Sequence, residues 1–243
     1  MCVKDSEAFL PAAIESILTQ TYEDFEFIIV ENGSKDRSWE IINSYEDSRI
    51  RPFQTPIAQL PFNLNFGIMH SKGQYIARMD SDDISMPGRL AKQATFLDDN
   101  SKTAVIGTGF TIFGEGISDR TINVPVTDER IRRLLPFRFV LCHPTTVVRR
   151  DVLIQYRGYE HVRFCEDLDL WLRISRTNEW KFANLDESLL RYRVHPKQSK
   201  GSSEAYYSSV SILLKEGLIQ RRPSLYLAAI GKIAASIARL RQF

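Results

Sequence analysis

The sequence predicts an α/β fold: a mostly parallel sheet with helices on both faces, closed by a helical C-terminal tail. Two observations carry this. Through the first half of the chain, short apolar runs bounded by turns alternate with stretches of helical periodicity, the pattern of strand–helix–strand units. The runs themselves are rich in Phe, Ile and Val without polar alternation, as in parallel strands buried on both faces. In such sheets ligands bind beyond the carboxyl ends of the strands. The turns that follow the strands are therefore where functional residues belong.

Composition sets the bounds. The chain has 243 residues, 43% hydrophobic and 26% charged, ordinary for a globular protein able to bury a substantial core. Its formal net charge of +2 is too small to argue for a nucleic-acid partner. No apolar stretch reaches the roughly 18–20 residues of a membrane span. The start, Met1-Cys2-Val3-Lys4-Asp5, lacks the basic-then-apolar pattern of a secretory signal. Three cysteines, Cys2, Cys142 and Cys165, without CxxC spacing give neither a disulfide framework nor a zinc site. A cytoplasmic setting is the expectation.

Residues 7–20 read as a helix, with Phe9, Ala13, Ile14, Ile17 and Leu18 at helical spacing around Pro11. Phe25 to Val30 is an apolar run ending in the turn Glu31-Asn32-Gly33-Ser34, which suits a buried strand. A helix follows over 38–45, a short strand over 49–53, a helix over 63–70 stopped near Gly73, and a strand over 75–79. The first helix has no complete strand before it, because Met1-Cys2-Val3 is all that precedes it. Beyond residue 90 the reading is a helix over 91–97, a strand over 104–113, a loop or hairpin over 114–125 and a basic helix over 127–135. A strand over 145–149, a segment over 151–156, a helix over 164–175 and a strand over 189–194 complete the domain. From residue 208 onward the tail is helical, and its last part, 225–243, sets Leu, Ile and Ala against Lys232, Arg239 and Arg241. That pattern fits either a basic amphipathic helix on the inner face of a membrane or a helix docked on the domain.

Within this frame the strand over 75–79 runs into Asp80-Ser81-Asp82-Asp83. Like charges packed this closely are best tolerated around a cation, and hard oxygen ligands suit a divalent ion that can hold a diphosphate. The alternative is a solvated acidic turn before the helix. A second acidic cluster, Glu166-Asp167-Leu168-Asp169, opens the helix over 164–175. There Asp167, Leu170, Trp171 and Ile174 share one face, directing Asp167 inward and leaving Asp169 and Arg173 for solvent. An acidic first turn also serves simply as a dipole cap.

Taken in order, these segments resemble the family 2 glycosyltransferases of GT-A fold, from residue 1 to about residue 200. The resemblance rests on QTYEDFEFIIVENGSKDRS (20–38), LNFGI (64–68) with GQYIARMDSDDISMPGRL (73–90), CEDLDLWLRI (165–174) and YRVHPKQSK (192–200). It implies an inverting, metal-dependent transfer of a sugar from a nucleoside diphosphate sugar, expected to be UDP-linked. The implied acceptor is a saccharide or lipid-linked saccharide hydroxyl of surface polysaccharide synthesis. Asp80 and Asp82 match the family's DxD positions, with Asp82 the direct ligand of Mn²⁺ or Mg²⁺, Asp83 a helper and His195 completing the metal or diphosphate site. A surface histidine before a proline is the other reading of His195. Asp167 matches the general base and Glu166 its support. Cys2, Val3, Glu31, Asn32, Asn65, Asp80 and Ser81 are the implied nucleotide contacts. The family's paired acids after the second strand are Glu31 and Asn32 here, and an Asn still bonds a base through its amide. His143, in Cys142-His143-Pro144, lines the acceptor side or packs within its loop. The resemblance divides the chain into a nucleotide-binding half (1–100), an acceptor-binding half (101–200) and the tail (201–243). A catalytically inactive nucleotide- or partner-binding module is the alternative, motivated by Asn32 and the short first strand. A nucleotidyltransferase would need a Gly-rich basic loop that residues 1–9 lack.

Overall fold

The computed structural model describes residues 1–160, 162, 164–195 and 203–240. The chain opens with β1 (Cys2–Val3), α1 (Leu10–Leu18), β2 (Phe27–Glu31), α2 (Ser38–Asn43), β3 (Ile50–Gln54) and α3 (Leu60–His70). Helix α1 forms where expected: Leu10, Ala13, Ile14 and Ile17 are buried on one stripe, and Pro11 occupies the first turn, where its missing N–H is not needed. The three strands make a parallel sheet in the order β1-β2-β3, with Cys2 opposite Val30 and Phe27 opposite Ile50.

The chain continues with β4 (Tyr75–Ala77), β5 (Ile84–Ser85), α4 (Arg89–Asp99), β6 (Thr103–Gly114), β7 (Ile117–Ile122) and α5 (Asp128–Leu134). A single 3₁₀ turn at His143–Thr145 leads to β8 (Val147–Arg149), α6 (Arg150–Gln155), α7 (Glu166–Ile174), β9 (Lys181–Arg193), α8 (Ser203–Gln220) and α9 (Pro223–Leu240). Here the expectation of a mostly parallel sheet needs correcting. The second sheet, ordered β4-β8-β6-β9-β5 with β7 beside β6, is mixed, and only its β6–β9 pairing is parallel. The β6–β7 hairpin is a local connection, whereas β8 returns through α5 to lie antiparallel between β4 and β6. Strand β9 is also longer than the apolar run 189–194 that announces it. Its first half carries Lys181, Asn184, Asp186 and Glu187, and it is drawn into the sheet by pairing with β6.

The two sheets meet edge to edge. β1 and β4 are each the last strand of their sheet, and one parallel bridge, Cys2 to Asp80, joins them. Behind this bridge lies a cavity of about 710 Å³, walled by β2 and α3 on one side and by β4 and α4 on the other. The first acidic cluster thus hangs on the seam between the sheets.

The largest core surrounds Trp171 and Phe182, with Leu170, Leu172 and Ile174 of α7. Ile212 and Leu213 of α8 and Leu225, Ala228 and Ala229 of α9 join the same core, so the tail docks on the domain. Its outer face stays apolar: Leu227 is 63% exposed and Ile230 60%. Among the described residues no helix is long and apolar enough to cross a membrane.

The tail also explains a second departure from the sequence reading. Asp169 and Arg173, expected at the surface, are 0% and 4% exposed. α8 covers that face of α7. Arg173 Nε donates to Asp169 Oδ2 at 2.6 Å, and Lys215 Nζ of α8 reaches Asp169 Oδ1 at 3.2 Å. Arg173 also donates to the carbonyls of Tyr156 and Gly158. Removing one partner of a buried, hydrogen-bonded ion pair strands the other charge, which costs about 3–5 kcal/mol. Asp169→Ala is therefore expected to lower the urea midpoint sharply. A midpoint within error of wild type would show that the pair contributes nothing.

Candidate active site

Beyond Ala77 the chain stays extended as far as the Cys2–Asp80 bridge, so Arg78 and Asp80 point to the same side. They form a two-pronged pair, Nη1 to Oδ2 at 2.7 Å and Nη2 to Oδ1 at 2.5 Å. Arg78 is 8% exposed. Burial opposes its charge, and Asp80 more than compensates, so its guanidinium holds the proton more tightly than usual.

Asp80, Asp82 and Asp83 present carboxylate oxygens all within 4.8 Å of one another. Asp83 is fully buried; Oδ1 accepts from the Arg193 backbone N–H at 2.8 Å, and Oδ2 has no partner among the described residues. Burial, then Asp80 and Asp82, push the Asp83 carboxyl well above the usual carboxylate range. An orphaned buried oxygen facing two further carboxylates is the environment a hard divalent cation satisfies, and the donor set is all oxygen. The residues present therefore fit Mn²⁺ or Mg²⁺.

The end of β9 closes over this cluster. His195 Nε2 lies 3.0 Å from Asp82 Oδ2, and Arg193 Nε donates to the Asp82 carbonyl at 2.7 Å. Phe9 packs under both, its ring 4.9 Å from that of His195 and 4.6 Å from the Arg193 guanidinium carbon. His195 thus sits on the acidic cluster rather than at a bland surface. The rest of its motif, 196–200, lies outside the described residues.

The nucleotide-side residues fall into two groups. Val3 accepts the Asn32 N–H at 3.0 Å, Cys2 bridges to Asp80, and Ser81 Oγ meets Ser6 Oγ at 2.7 Å. Asn32 is 6% exposed and its Oδ1 has no partner among the described residues. Glu31, by contrast, is engaged by the turn itself: Oε1 accepts from the Ser34 N–H at 2.5 Å and Oε2 from Gln54 at 3.1 Å. Asn65 is a brace. Its amide exchanges bonds with both the carbonyl and the N–H of Tyr159, at 2.8 and 2.9 Å. Gly158 permits that approach, since its φ is +62° and a Cβ there would lie 2.2 Å from Asn65 Oδ1. Among the described residues, neither Glu31 nor Asn65 makes a hydrogen bond to the acidic clusters.

Helix α7 brings in the second cluster. Its first turn carries Glu166, Asp167 and Asp169, where the helix dipole favours negative charge. Cys165 just before it adopts a left-handed φ of 64°, which turns the chain sharply into the helix. Asp167 is half-buried rather than core-facing, with Oδ1 accepting the Leu168 N–H at 2.8 Å. Burial raises its carboxyl above the ordinary value, with Glu166 adding to the shift and Arg78 opposing it. Burial raises Glu166 as well, opposed by Arg78.

One connection joins the clusters and a second braces the α7 end, and the sequence reading assigned neither. One is Arg78, which pairs with Asp80 and whose charge is felt by both Glu166 and Asp167. The other runs from Tyr159 OH to His143 Nε2 at 2.9 Å, with His143 Nδ1 3.6 Å from Glu166 Oε1. Burial depresses the His143 imidazole to about 3, so the ring is neutral and packs as a loop histidine. The signals were faint: a cation two residues before Asp80, and Arg193 two before His195, each on the same strand side.

Comparisons with known proteins identify the family. The family model described as "Glycosyl transferase family 2" matches residues 1–157. The O-antigen biosynthesis glycosyltransferase WbnJ of Escherichia coli is 37% identical over 237 residues, covering 95% of this chain and 92% of its own. The chain belongs to glycosyl transferase family 2. Among solved structures, S. aureus TarS in complex with UDP-GlcNAc superposes with a TM-score of 0.72 at 16% identity, covering 88% of this glycosyltransferase and 64% of the TarS chain. A Pyrobaculum calidifontis mannosyltransferase in complex with GDP-Man and Mn²⁺ gives 0.64 at 13% identity, covering 98% and 73%. These two likenesses carry the fold alone. They agree with a GT-A-like α/β architecture, as the sequence predicts.

Proposed function

We propose that this glycosyltransferase moves a sugar from a UDP-linked donor to a hydroxyl of a surface polysaccharide or lipid-linked oligosaccharide, by a metal-dependent single displacement. The observation that carries the reading is the convergence of Asp80, Asp82 and Asp83 with Glu166 and Asp167 around the buried Arg78. The names of the relatives support parts of this reading: an O-antigen glycosyltransferase for the polysaccharide, a protein solved with UDP-GlcNAc for the uridine donor, and one solved with GDP-Man and Mn²⁺ for the metal but not for the uridine.

The roles follow from the chemistry. Asp82 and Asp83, with His195 and Asp80 beside them, would hold the Mn²⁺ or Mg²⁺. When bound, such an ion neutralises the charge that builds on a departing diphosphate. Asn32 Oδ1 accepts the ring N–H of uracil, Cys2, Val3 and Ser81 line the same side, and residues 1–100 form the nucleotide half. Asp167 takes the proton of the acceptor hydroxyl as its oxygen bonds to the anomeric carbon. The bond from that carbon to the diphosphate breaks, UDP leaves with the electron pair, and the anomeric centre inverts. Arg78 keeps Asp80 oriented and, with Glu166, sets the field around Asp167.

Thermal unfolding with UDP, GDP and CDP, each with and without Mn²⁺, tests the donor side. A ligand that binds only the native state raises the midpoint by mass action. A UDP shift that requires Mn²⁺ is expected. No shift with any nucleotide would leave the inactive-module reading standing.

A further inference from the structure

We propose that Asn65, Tyr159 and His143 form a positioning relay that holds Glu166, and with it Asp167, in place for proton removal, so that Asn65 governs the rate of transfer and not the binding of the donor. This rests on the reading of Asp167 as the base.

The relay starts on α3. The Asn65 amide donates to the Tyr159 carbonyl at 2.8 Å and accepts the Tyr159 N–H at 2.9 Å, 94 residues on in sequence. Its oxygen and its nitrogen are thus both engaged by one residue of the turn that follows α6. From the other side, Arg173 of α7 donates to the Gly158 carbonyl at 2.6 Å. The turn is clamped between the nucleotide half and the helix that carries Asp167.

Tyr159 is 4% exposed and His143 6%, so their contact is sealed from water. The Tyr159 hydroxyl lies 2.9 Å from His143 Nε2, and the other ring nitrogen, Nδ1, faces Glu166 Oε1 at 3.6 Å. With its imidazole neutral, His143 has one N–H and one lone pair. The oxygens of an ionised Glu166 only accept, so the N–H belongs on Nδ1 and the hydroxyl donates to Nε2. Burial raises the Tyr159 hydroxyl, which keeps the proton this requires. Tyr159 therefore selects the tautomer, and that tautomer turns its N–H towards Glu166. The 3.6 Å separation is longer than a hydrogen bond, and catalytic contacts of this kind tighten when substrate is bound.

Glu166 and Asp167 are neighbours in the first turn of α7, entered through the left-handed Cys165. Fixing the first carboxylate fixes that turn. A base misplaced by about 1 Å costs up to about 10²-fold in rate.

The test is Tyr159→Phe, which removes one oxygen from a buried site and leaves the ring. Turnover is read as UDP release from the UDP-sugar that wild type cleaves fastest in a panel, with Mn²⁺ present and water as the acceptor. Nitrogen-15 NMR of the full chain reads the His143 tautomer, its signals assigned by their loss in His143→Gln. Wild type is expected to carry the proton on Nδ1. Tyr159→Phe is expected to lose that preference and to release UDP about tenfold more slowly, with KM for the UDP-sugar within about twofold. Asn65→Ala should slow release to a similar extent and keep the UDP–Mn²⁺ thermal shift. His143→Asn, whose amide places an N–H where Nδ1 stands, should retain more activity than His143→Ala. A proton on Nε2 in wild type, or Tyr159→Phe turning over at the wild-type rate, would overturn the relay. So would a thermal shift lost in Asn65→Ala and kept in Tyr159→Phe, which would make Asn65 a nucleotide contact. Wild-type turnover in Asp167→Asn sinks the base reading beneath the proposal, whereas wild-type turnover in Tyr159→Phe beside a slow Asp167→Asn sinks this inference alone.

Discussion

Replacing Asp167 with Asn is expected to cut sugar transfer by roughly 10²–10⁴-fold, the range a positioned general base contributes. The UDP–Mn²⁺ thermal shift should survive, because Asp167 stands on α7 and the carboxylates proposed to hold the metal follow β4. A second, opposite effect accompanies the loss. Burial raises the Asp167 carboxyl above its unfolded value, so the folded state binds that proton more tightly than the unfolded one. Wild-type stability then falls as pH rises from the unfolded value through the raised folded one, and at neutral pH the ionised carboxylate costs stability. The amide has no proton to lose. Asp167→Asn should therefore melt above wild type at pH 8, with the gap closing toward pH 4, near the ordinary Asp value. The raised value also predicts that the acidic limb of the wild-type rate profile lies above that of an unperturbed aspartate. Transfer retained at the wild-type rate in Asp167→Asn would remove this residue from the mechanism.

The second large effect concerns the metal. Asp82→Ala should abolish the Mn²⁺-dependent part of UDP binding. At about a hundred times its Kd a ligand adds about 2.7 kcal/mol, which at this chain length is a shift of about 5 °C or more. That shift should vanish while the variant's own melting point stays near wild type, since Asp82 is a half-buried surface acid. Asp83→Ala is a different case: it removes a fully buried group tied to the end of β9 by the Arg193 N–H. It should weaken nucleotide binding and stability together. If Asp82→Ala keeps a full Mn²⁺-dependent shift, the ion is held elsewhere.

Much of this was legible in the residues. The alternation of apolar runs with helical periodicity places the first three helices and the strands β2 and β3 to within a few positions. The reason is local, since a buried strand must be apolar and an amphipathic helix must repeat every three to four residues. Both acidic clusters stood out for the same kind of reason, because carboxylates that close together demand a cation, a dipole or water. What escaped was whatever a distant partner decides. The first half of β9 looks polar and becomes a strand because β6 is there to pair with it. Gln54 and Tyr159, distant in sequence, hydrogen-bond the side chains of Glu31 and Asn65, which local pattern does not reveal. Periodicity put Asp169 and Arg173 on the solvent side of α7, where α8, more than thirty residues later in sequence, covers them.

By itself, the sequence determined the α/β class, the order of the motifs and the residue types for chemistry on a diphosphate sugar, because these depend on local pattern and on side-chain identity. Only the tertiary structure decided that the two acidic clusters share one buried arginine, that the second sheet is mixed and that the C-terminal helices dock on the domain. Each of these depends on which surfaces meet, and burial, pairing and charge coupling are properties of the contact rather than of either stretch alone.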